Sequence, residues 1–162
     1  MNGRAVTRDD LRSAMARTAA GVVVVTARGS DGTPQGLTAT SFCSVSLEPA
    51  LVLVCVAETA GAYKALAGCE EFAVSVLRRE QSAVATRFAT GGAEKFHPAD
   101  TELTPRDLPA VAGALCQLDC VVDARHPAGD HLILVGEVTA VRLADGGDPL
   151  VYAGRSYRAL SS

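Results

Sequence analysis

Two long β-type segments near the end of the chain limit its possible folds more than any other feature. Residues 114–125 and 131–143 are rich in β-branched and other apolar side chains, and the segment Pro127-Ala128-Gly129 lies between them. A connection this short predicts an antiparallel hairpin, because a parallel pair needs a long crossover. The other predicted strands also follow one another without the regular helices of a doubly wound sheet. We therefore expect an α+β chain, mainly antiparallel β, forming a barrel with short flanking helices.

The remaining predicted elements are short. The β-branched run after Gly21 indicates a strand, and Thr7 with Asp10 forms the capping pattern of a helix start. Residues 93–109 contain three prolines and mixed charges, so we expect a loop there. The predicted strands are residues 22–26, 36–46, 51–56, 72–77 and 150–160, and the predicted helices are 7–20, 59–67 and 81–88. A chain of 162 residues is expected to form one domain, residues 1–162.

Composition excludes several classes of function. The formal net charge is -3 with no basic face evident, so a nucleic-acid partner is not expected. The sequence has no long apolar run for a membrane span, and residues 1–7 lack the apolar stretch of a signal peptide. The 5 cysteines are odd in number, form no C-x-x-C pair and do not cluster with histidines. We therefore expect reduced thiols, no metal site and a cytoplasmic protein.

Residues 36–49 carry the most informative local pattern, G-L-T-A-T-S-F-C-S-V-S-L-E-P. On a strand, Thr38 and Thr40 face one side, and Ala39 and Ser41 face the other. So many hydroxyl groups are typical either of a ligand-binding strand or of a half-solvated edge strand. The chain also lacks the G-x-G-x-x-G and G-x-x-x-x-G-K-[ST] patterns, so a dinucleotide would not bind in a Rossmann or P-loop cradle.

Together, five stretches resemble the flavin reductase family, the reductase components of two-component flavin-dependent monooxygenases. The stretches are residues 18–26, 36–49, 72–88, the G-D-H at 129–131 with G-E-V at 136–138, and 149–157. The resemblance implies the FMN-binding split-barrel fold and an enzyme that reduces FMN or FAD with NADH or NADPH. It also implies a homodimer with the flavin at the subunit interface, which supplies reduced flavin to a partner monooxygenase.

The resemblance assigns roles to particular residues. The flavin ring edge would be lined by Thr38, Ala39, Thr40 and Ser41. The flavin phosphate would lie near Cys55, Val56, Ala57, Thr59 and Lys64, where the start of the helix predicted at 59–67 would favour an anion. Glu58 departs from this expectation, because a carboxylate repels phosphate unless it points away.

The remaining assignments keep a second interpretation. His131 would position the nicotinamide beside the flavin, although a polar residue at the mouth of a hairpin is the ordinary alternative. Phe88 and Tyr157 would either border the flavin or belong to the core. The 2′-phosphate of NADPH would need a further cation, and the candidates are Arg87, Lys95, Arg155 and Arg158.

Two other functions remain open at this point. A non-catalytic flavin-binding module or electron carrier could use the same barrel, and it would retain flavin without oxidising NAD(P)H. A relative that acts on pyridoxamine phosphate or a deazaflavin would need an additional basic cluster, which the sequence does not display.

Overall fold

The computed structural model describes residues 5–160, so part of the N-terminal segment considered above for a signal peptide lies outside the described residues. Within this range the helices are α1 (Arg8–Met15), α2 (Tyr63–Gly68) and α3 (Ser82–Ala89), with a 3-10 turn at Arg79–Gln81. None of these helices combines the length and apolar character that a membrane span needs.

β-Strands are the main regular structure of the described chain. The first six strands are β1 (Ala20–Gly21), β2 (Val23–Arg28), β3 (Pro34–Ala39), β4 (Cys43–Leu47), β5 (Ala50–Ala57) and β6 (Glu71–Val76). The others are β7 (Thr101–Leu103), β8 (Pro109–Val111), β9 (Cys116–Ala128), β10 (His131–Leu143), β11 (Val151–Ala153) and β12 (Ser156–Arg158).

Seven of these strands form one antiparallel sheet in the order β3-β2-β6-β9-β10-β5-β4. The two edge strands, β3 and β4, are consecutive in the chain. The link between them, residues 40–42, therefore spans the gap between the two edges of the coiled sheet. This open arrangement confirms the predicted mainly antiparallel split barrel with short flanking helices.

The alternation of side chains along β2 separates two apolar cores. Val23 and Val25 face the barrel interior, where they pack in a cluster with Val54 and Phe72. Val24, which lies between them, faces the outside and belongs to a second cluster that contains Phe88 of α3. Because helix α3 packs against the outer face of β2 and β3, its C-terminal end is fixed next to the edge strand.

The hairpin predicted from residues 114–143 is confirmed, with 13 residues in each of β9 and β10. β10 has the predicted bounds, whereas β9 begins two residues later and ends three residues later than predicted, because pairing continues to Ala128 opposite His131. The turn consists of Gly129 and Asp130, and Gly129 has φ 63°, which favours glycine. This turn places His131 at the end of the sheet, where β10 also pairs with Ala57 of β5.

Several predicted boundaries are wrong. The helix predicted at 7–20 has the expected Thr7 capping box, but it ends at Met15. Residues 36–46 form two strands, since the ladder stops after Ala39 and resumes at Cys43. The segment 93–109 contains β7, which pairs with β8, and residues 150–160 form a hairpin of β11 and β12.

Candidate functional site

The link between the two edge strands is held by a side chain that makes the hydrogen bonds a paired strand would otherwise make. Cys43 of β4 pairs with Leu53 of β5, so continuing that register would place Ser41 opposite Cys55. The Ser41 hydroxyl donates to the Cys55 carbonyl oxygen at 3.1 Å and accepts from the Cys55 N–H at 3.0 Å. Ser41 thus extends the ladder by one position after the β4 main chain has left it.

A second hydroxyl ties the other edge strand to a helix. The Thr38 hydroxyl donates to the Ala85 carbonyl oxygen of α3 at 2.7 Å. The hydroxyl protons of Thr38 and Ser41 are therefore both used within the protein. Thr40, which lies between them, is exposed and is free to meet a ligand. The structure thus divides the hydroxyl groups into two that support the backbone and one that faces solvent.

A cleft of about 430 Å³ opens at this point, and we call it the β3–β5 cleft. It is bounded by the strand link, the end of β5, the end of α3 and the start of β10. The residues that line it are Leu37, Thr38, Ala39, Thr40, Ser41, Cys55, Ala57, Thr59, Ala60, Gly61, Phe88, Ala89, Gly91, Lys95 and His131. No aspartate or glutamate is among these described lining residues, so the fixed charges of the wall favour an anionic ligand.

Lys95 supplies the ammonium group of this cleft. Its Nζ donates to the Gly36 carbonyl oxygen of β3 at 2.9 Å and to the Phe88 carbonyl oxygen of α3 at 3.0 Å. Both acceptors are neutral, and burial of the side chain lowers the pKa of Lys95 from its ordinary value. The charge of Lys95 is therefore hydrogen-bonded but lacks a paired carboxylate among residues 5–160.

A neighbouring arginine fixes the loop that carries Lys95. Arg87 Nε donates to the Lys95 carbonyl oxygen at 3.0 Å, and its Nη2 forms a 2.6 Å ion pair with Asp100. From the sequence, Lys95 is predicted only as a candidate for binding the 2′-phosphate of NADPH. Its place in the cleft depends on contacts that span 59 residues, to Gly36, and no local pattern reveals them.

His131 lies at the mouth of the same cleft. Its Nδ1 is 2.7 Å from Asp130 Oδ1, and its side chain is 43% exposed. The hydrogen bond from His131, followed by the attraction of its charge, lowers the pKa of Asp130. The Asp130 carboxylate therefore fixes one ring nitrogen of His131 and leaves the other for a ligand.

The structure places nine of the twelve sequence-predicted site residues along this cleft: Thr38, Ala39, Thr40, Ser41, Cys55, Ala57, Thr59, Phe88 and His131. The Phe88 ring is itself buried, packing edge-on against Phe96 at 5.1 Å. Phe88 thus borders the cleft from the second core and does not offer an open stacking face.

Three predicted residues do not line the β3–β5 cleft. Val56 is fully buried, because it faces the barrel interior while Cys55 and Ala57 face the cleft. Tyr157 packs against Tyr152 with the ring centroids 5.5 Å apart. Lys64 lies on helix α2, which begins at Tyr63 without a side-chain cap, so Thr59 does not start that helix as predicted.

Glu58 is also absent from the lining. Its N–H donates to the Asp130 carbonyl oxygen at 3.0 Å, which joins the end of β5 to the turn before His131. The departure from the expected pattern at Glu58 therefore puts no carboxylate into the cleft.

Comparison with known proteins identifies a family and relatives that match most of this chain. The family model described as flavin reductase like domain matches residues 15–161. The actinorhodin polyketide dimerase of Streptomyces coelicolor is 48% identical over 152 residues, which are 94% of this chain and 86% of that protein. The reductase component of 4-hydroxyphenylacetate 3-monooxygenase from Thermus thermophilus is 44% identical over 153 residues, 94% of this chain and 97% of that protein.

A solved structure shares the fold over almost the whole length. It is an NADH:FAD oxidoreductase of Streptomyces globisporus in complex with NAD and FAD fragments, with a TM-score of 0.89 and 35% sequence identity. The match covers 98% of this chain and 98% of that chain.

Proposed function

The chain belongs to the flavin reductase like family, and we propose that its flavin binds in the β3–β5 cleft. The protein is an NAD(P)H-dependent flavin reductase: it reduces FMN or FAD and supplies the reduced flavin to a partner monooxygenase. The observation that carries the assignment of the site is a cleft wall with hydroxyls, main-chain groups and Lys95 but no carboxylate.

The residues of this cleft fit a flavin. A volume of about 430 Å³ is in the range of small-molecule sites, and a flavin phosphate needs a cation and hydrogen-bond donors. Lys95 provides the cation from one wall, and Thr59 with the main chain around Gly61 provides donors from the other. The exposed Thr40 hydroxyl and nearby main-chain groups would hold the polar edge of the ring system.

The chain's contribution to the reaction is positioning. A flavin held in this cleft would supply the chemistry of accepting a hydride from reduced nicotinamide. Thr38 and Ser41 hold the strand link rigid through their bonds to Ala85 and Cys55. His131, oriented by Asp130, would hold the nicotinamide at the cleft mouth, and holding two reactants in contact lowers the entropic part of the barrier.

We also propose that two copies of the chain form a homodimer. Large apolar side chains are exposed on β4 and on the end of β10, with Leu47 at 89%, Val45 at 50%, Leu143 at 72% and Val141 at 57%. Apolar groups on an edge strand favour burial against a second copy. Light scattering after size-exclusion chromatography tests this proposal, and a monomer at micromolar concentration would contradict it.

A cytoplasmic location is proposed as well. All five cysteines are free thiols, and one of them, Cys43, is exposed. A reducing compartment keeps such thiols reduced. Fractionation of the producing cells tests the location.

The activity test is NADH and NADPH oxidation followed at 340 nm, with and without added FMN or FAD. We expect oxidation to depend on added flavin. Flavin binding without oxidation of either nucleotide would instead indicate a non-catalytic flavin-binding module. The site is tested separately by Lys95→Gln, which is expected to raise the KM for flavin about tenfold through loss of one charge-assisted contact.

A further inference from the structure

A second, larger cleft adjoins the β3–β5 cleft, and we call it the α2 cleft. Its volume is about 920 Å³, and Gly61 lines both clefts. Beyond Gly61 it runs between helix α2, which contributes Lys64, and the β2–β3 turn, which contributes Gly29 and Thr33. A ligand that extends past Gly61 can therefore occupy both clefts.

Most charged groups in the α2 cleft already have partners. Arg28 donates to the carbonyl oxygens of Asp107 and Gly32. Arg106 is paired with Glu71. The carboxylate of Asp31 accepts hydrogen bonds from the N–H and the hydroxyl of Thr33, which lower its pKa.

Two charged residues of this cleft remain without a side-chain partner among the described residues, and these are Lys64 and Glu70. Lys64 lines the α2 cleft three positions after Gly61, the residue that the two clefts share, and its side chain is exposed. Glu70 follows the far end of α2. The end of the α2 cleft at Gly61 is therefore its electropositive end.

We propose that the α2 cleft binds the AMP part of FAD, with the Lys64 ammonium group as the contact for the phosphate of that part. This inference rests on the proposed function, in which the flavin phosphate lies between Lys95 and Gly61. FMN ends at that phosphate, whereas FAD continues from it through a second phosphate to adenosine. The continuation starts at Gly61, which is where the α2 cleft begins.

The AMP part of NADH has the same chemistry, and two points favour FAD. His131, the residue proposed to hold the nicotinamide, lines the β3–β5 cleft but not the α2 cleft. The connection between the clefts is at Gly61, on the segment proposed for the flavin phosphate. Lys64 therefore determines the preference for FAD over FMN, and it does not serve the phosphate that the two flavins share.

The experiment compares the KM for FAD and for FMN at saturating NADH in the wild-type protein and in Lys64→Ala. We expect the KM for FAD to rise about fivefold, as for loss of one solvent-exposed charge-assisted contact, with the KM for FMN unchanged within about twofold. Lys64→Arg keeps the charge and is expected to restore the wild-type KM for FAD. Arg17→Ala removes an exposed cation that lines neither cleft, and it controls for general attraction of the more anionic flavin.

The other outcomes overturn the inference in distinguishable ways. Equal increases for both flavins would place Lys64 at the shared phosphate, and no increase for either would leave the α2 cleft without this role. An increase in the KM for NADH alone, measured with FMN, would assign the cleft to the nucleotide. A wild-type protein that reduces FMN but not FAD would refute the subsite and leave the proposed function intact. Activity with neither flavin would refute the proposed function itself.

Discussion

Replacing Ser41 by alanine tests the most unusual local feature of the site. The Ser41 hydroxyl is both donor and acceptor for the main chain of Cys55, in place of the strand that has left the ladder. Ser41→Ala removes both bonds at once. It also leaves the N–H and carbonyl of Cys55 without their partner on that edge, at a half-buried position.

The expected loss of stability follows from these two bonds. A neutral hydrogen bond contributes about 1 kcal/mol net, so two predict a decrease of about 2 kcal/mol in the free energy of unfolding. Water reaching the half-buried edge would offset part of this loss, which sets the lower bound at about 1 kcal/mol. For a chain of this length, each kcal/mol lowers the Tm by about 2–4 °C, so we expect a decrease of about 2–8 °C.

The assay is thermal and urea unfolding of Ser41→Ala beside the wild-type protein and a matched control. Ser44→Ala is that control, because Ser44 is exposed on β4 and its hydroxyl has no hydrogen bond within the described residues. The control is expected to stay within about 0.5 kcal/mol of the wild-type protein. We also expect the KM for both flavins to rise in Ser41→Ala, because the link that carries Thr40 loses its anchor.

One result would refute this reasoning about Ser41. If Ser41→Ala and Ser44→Ala were equally stable, the hydroxyl would not be continuing the β5 ladder. If stability fell as expected while the KM for both flavins stayed unchanged, Ser41 would support the sheet without positioning the binding segment.

Three further predictions concern the site and the cysteines. His131→Ala is expected to lower kcat/KM for NADH about tenfold through lost positioning, with flavin affinity within about twofold; an equal loss of flavin binding in titrations would contradict that role. Thr40→Val should weaken flavin binding by about 1 kcal/mol, the value of one hydrogen bond, and an unchanged Kd would move the ring away from this link. Burial, followed by the charges of Asp119 and Cys116, raises the pKa of Cys120 to about 12, so at pH 8 its thiol stays protonated. Iodoacetamide should therefore modify the exposed Cys43 and not Cys120, and mass spectrometry of the native protein would reveal the opposite order.

The sequence predicted those features that depend on neighbouring residues. The hairpin of β9 and β10 follows from two apolar segments around a glycine turn, and the capping box at Thr7 follows from a four-residue pattern. The alternation of side chains along β5 could also have excluded Val56 from the predicted flavin site, because Cys55 and Ala57 face one side of a strand and Val56 faces the other.

Lys95 and Lys64 required the structure. Lys95 reaches the β3–β5 cleft because Arg87 holds its loop and the Gly36 carbonyl oxygen accepts a hydrogen bond from its Nζ, and both contacts depend on tertiary packing. Lys64 was predicted at the flavin phosphate because the helix was expected to begin at Thr59. Helix α2 begins four residues later, at Tyr63, which directs Lys64 into the adjoining cleft.

The hydroxyl-rich link shows why residue type alone could not assign roles within the site. Thr38, Thr40 and Ser41 are chemically similar and close in sequence, and each was predicted to meet the flavin. Which hydroxyl is free depends on where β3 ends, since the break after Ala39 turns Ser41 towards Cys55 and leaves Thr40 exposed. That break in turn depends on the two sheet edges being brought together across the barrel, which no local pattern encodes. The residue types of a site built from strand ends can therefore be predicted from the sequence. Which of those residues support the backbone and which bind the ligand depends on how the sheet closes.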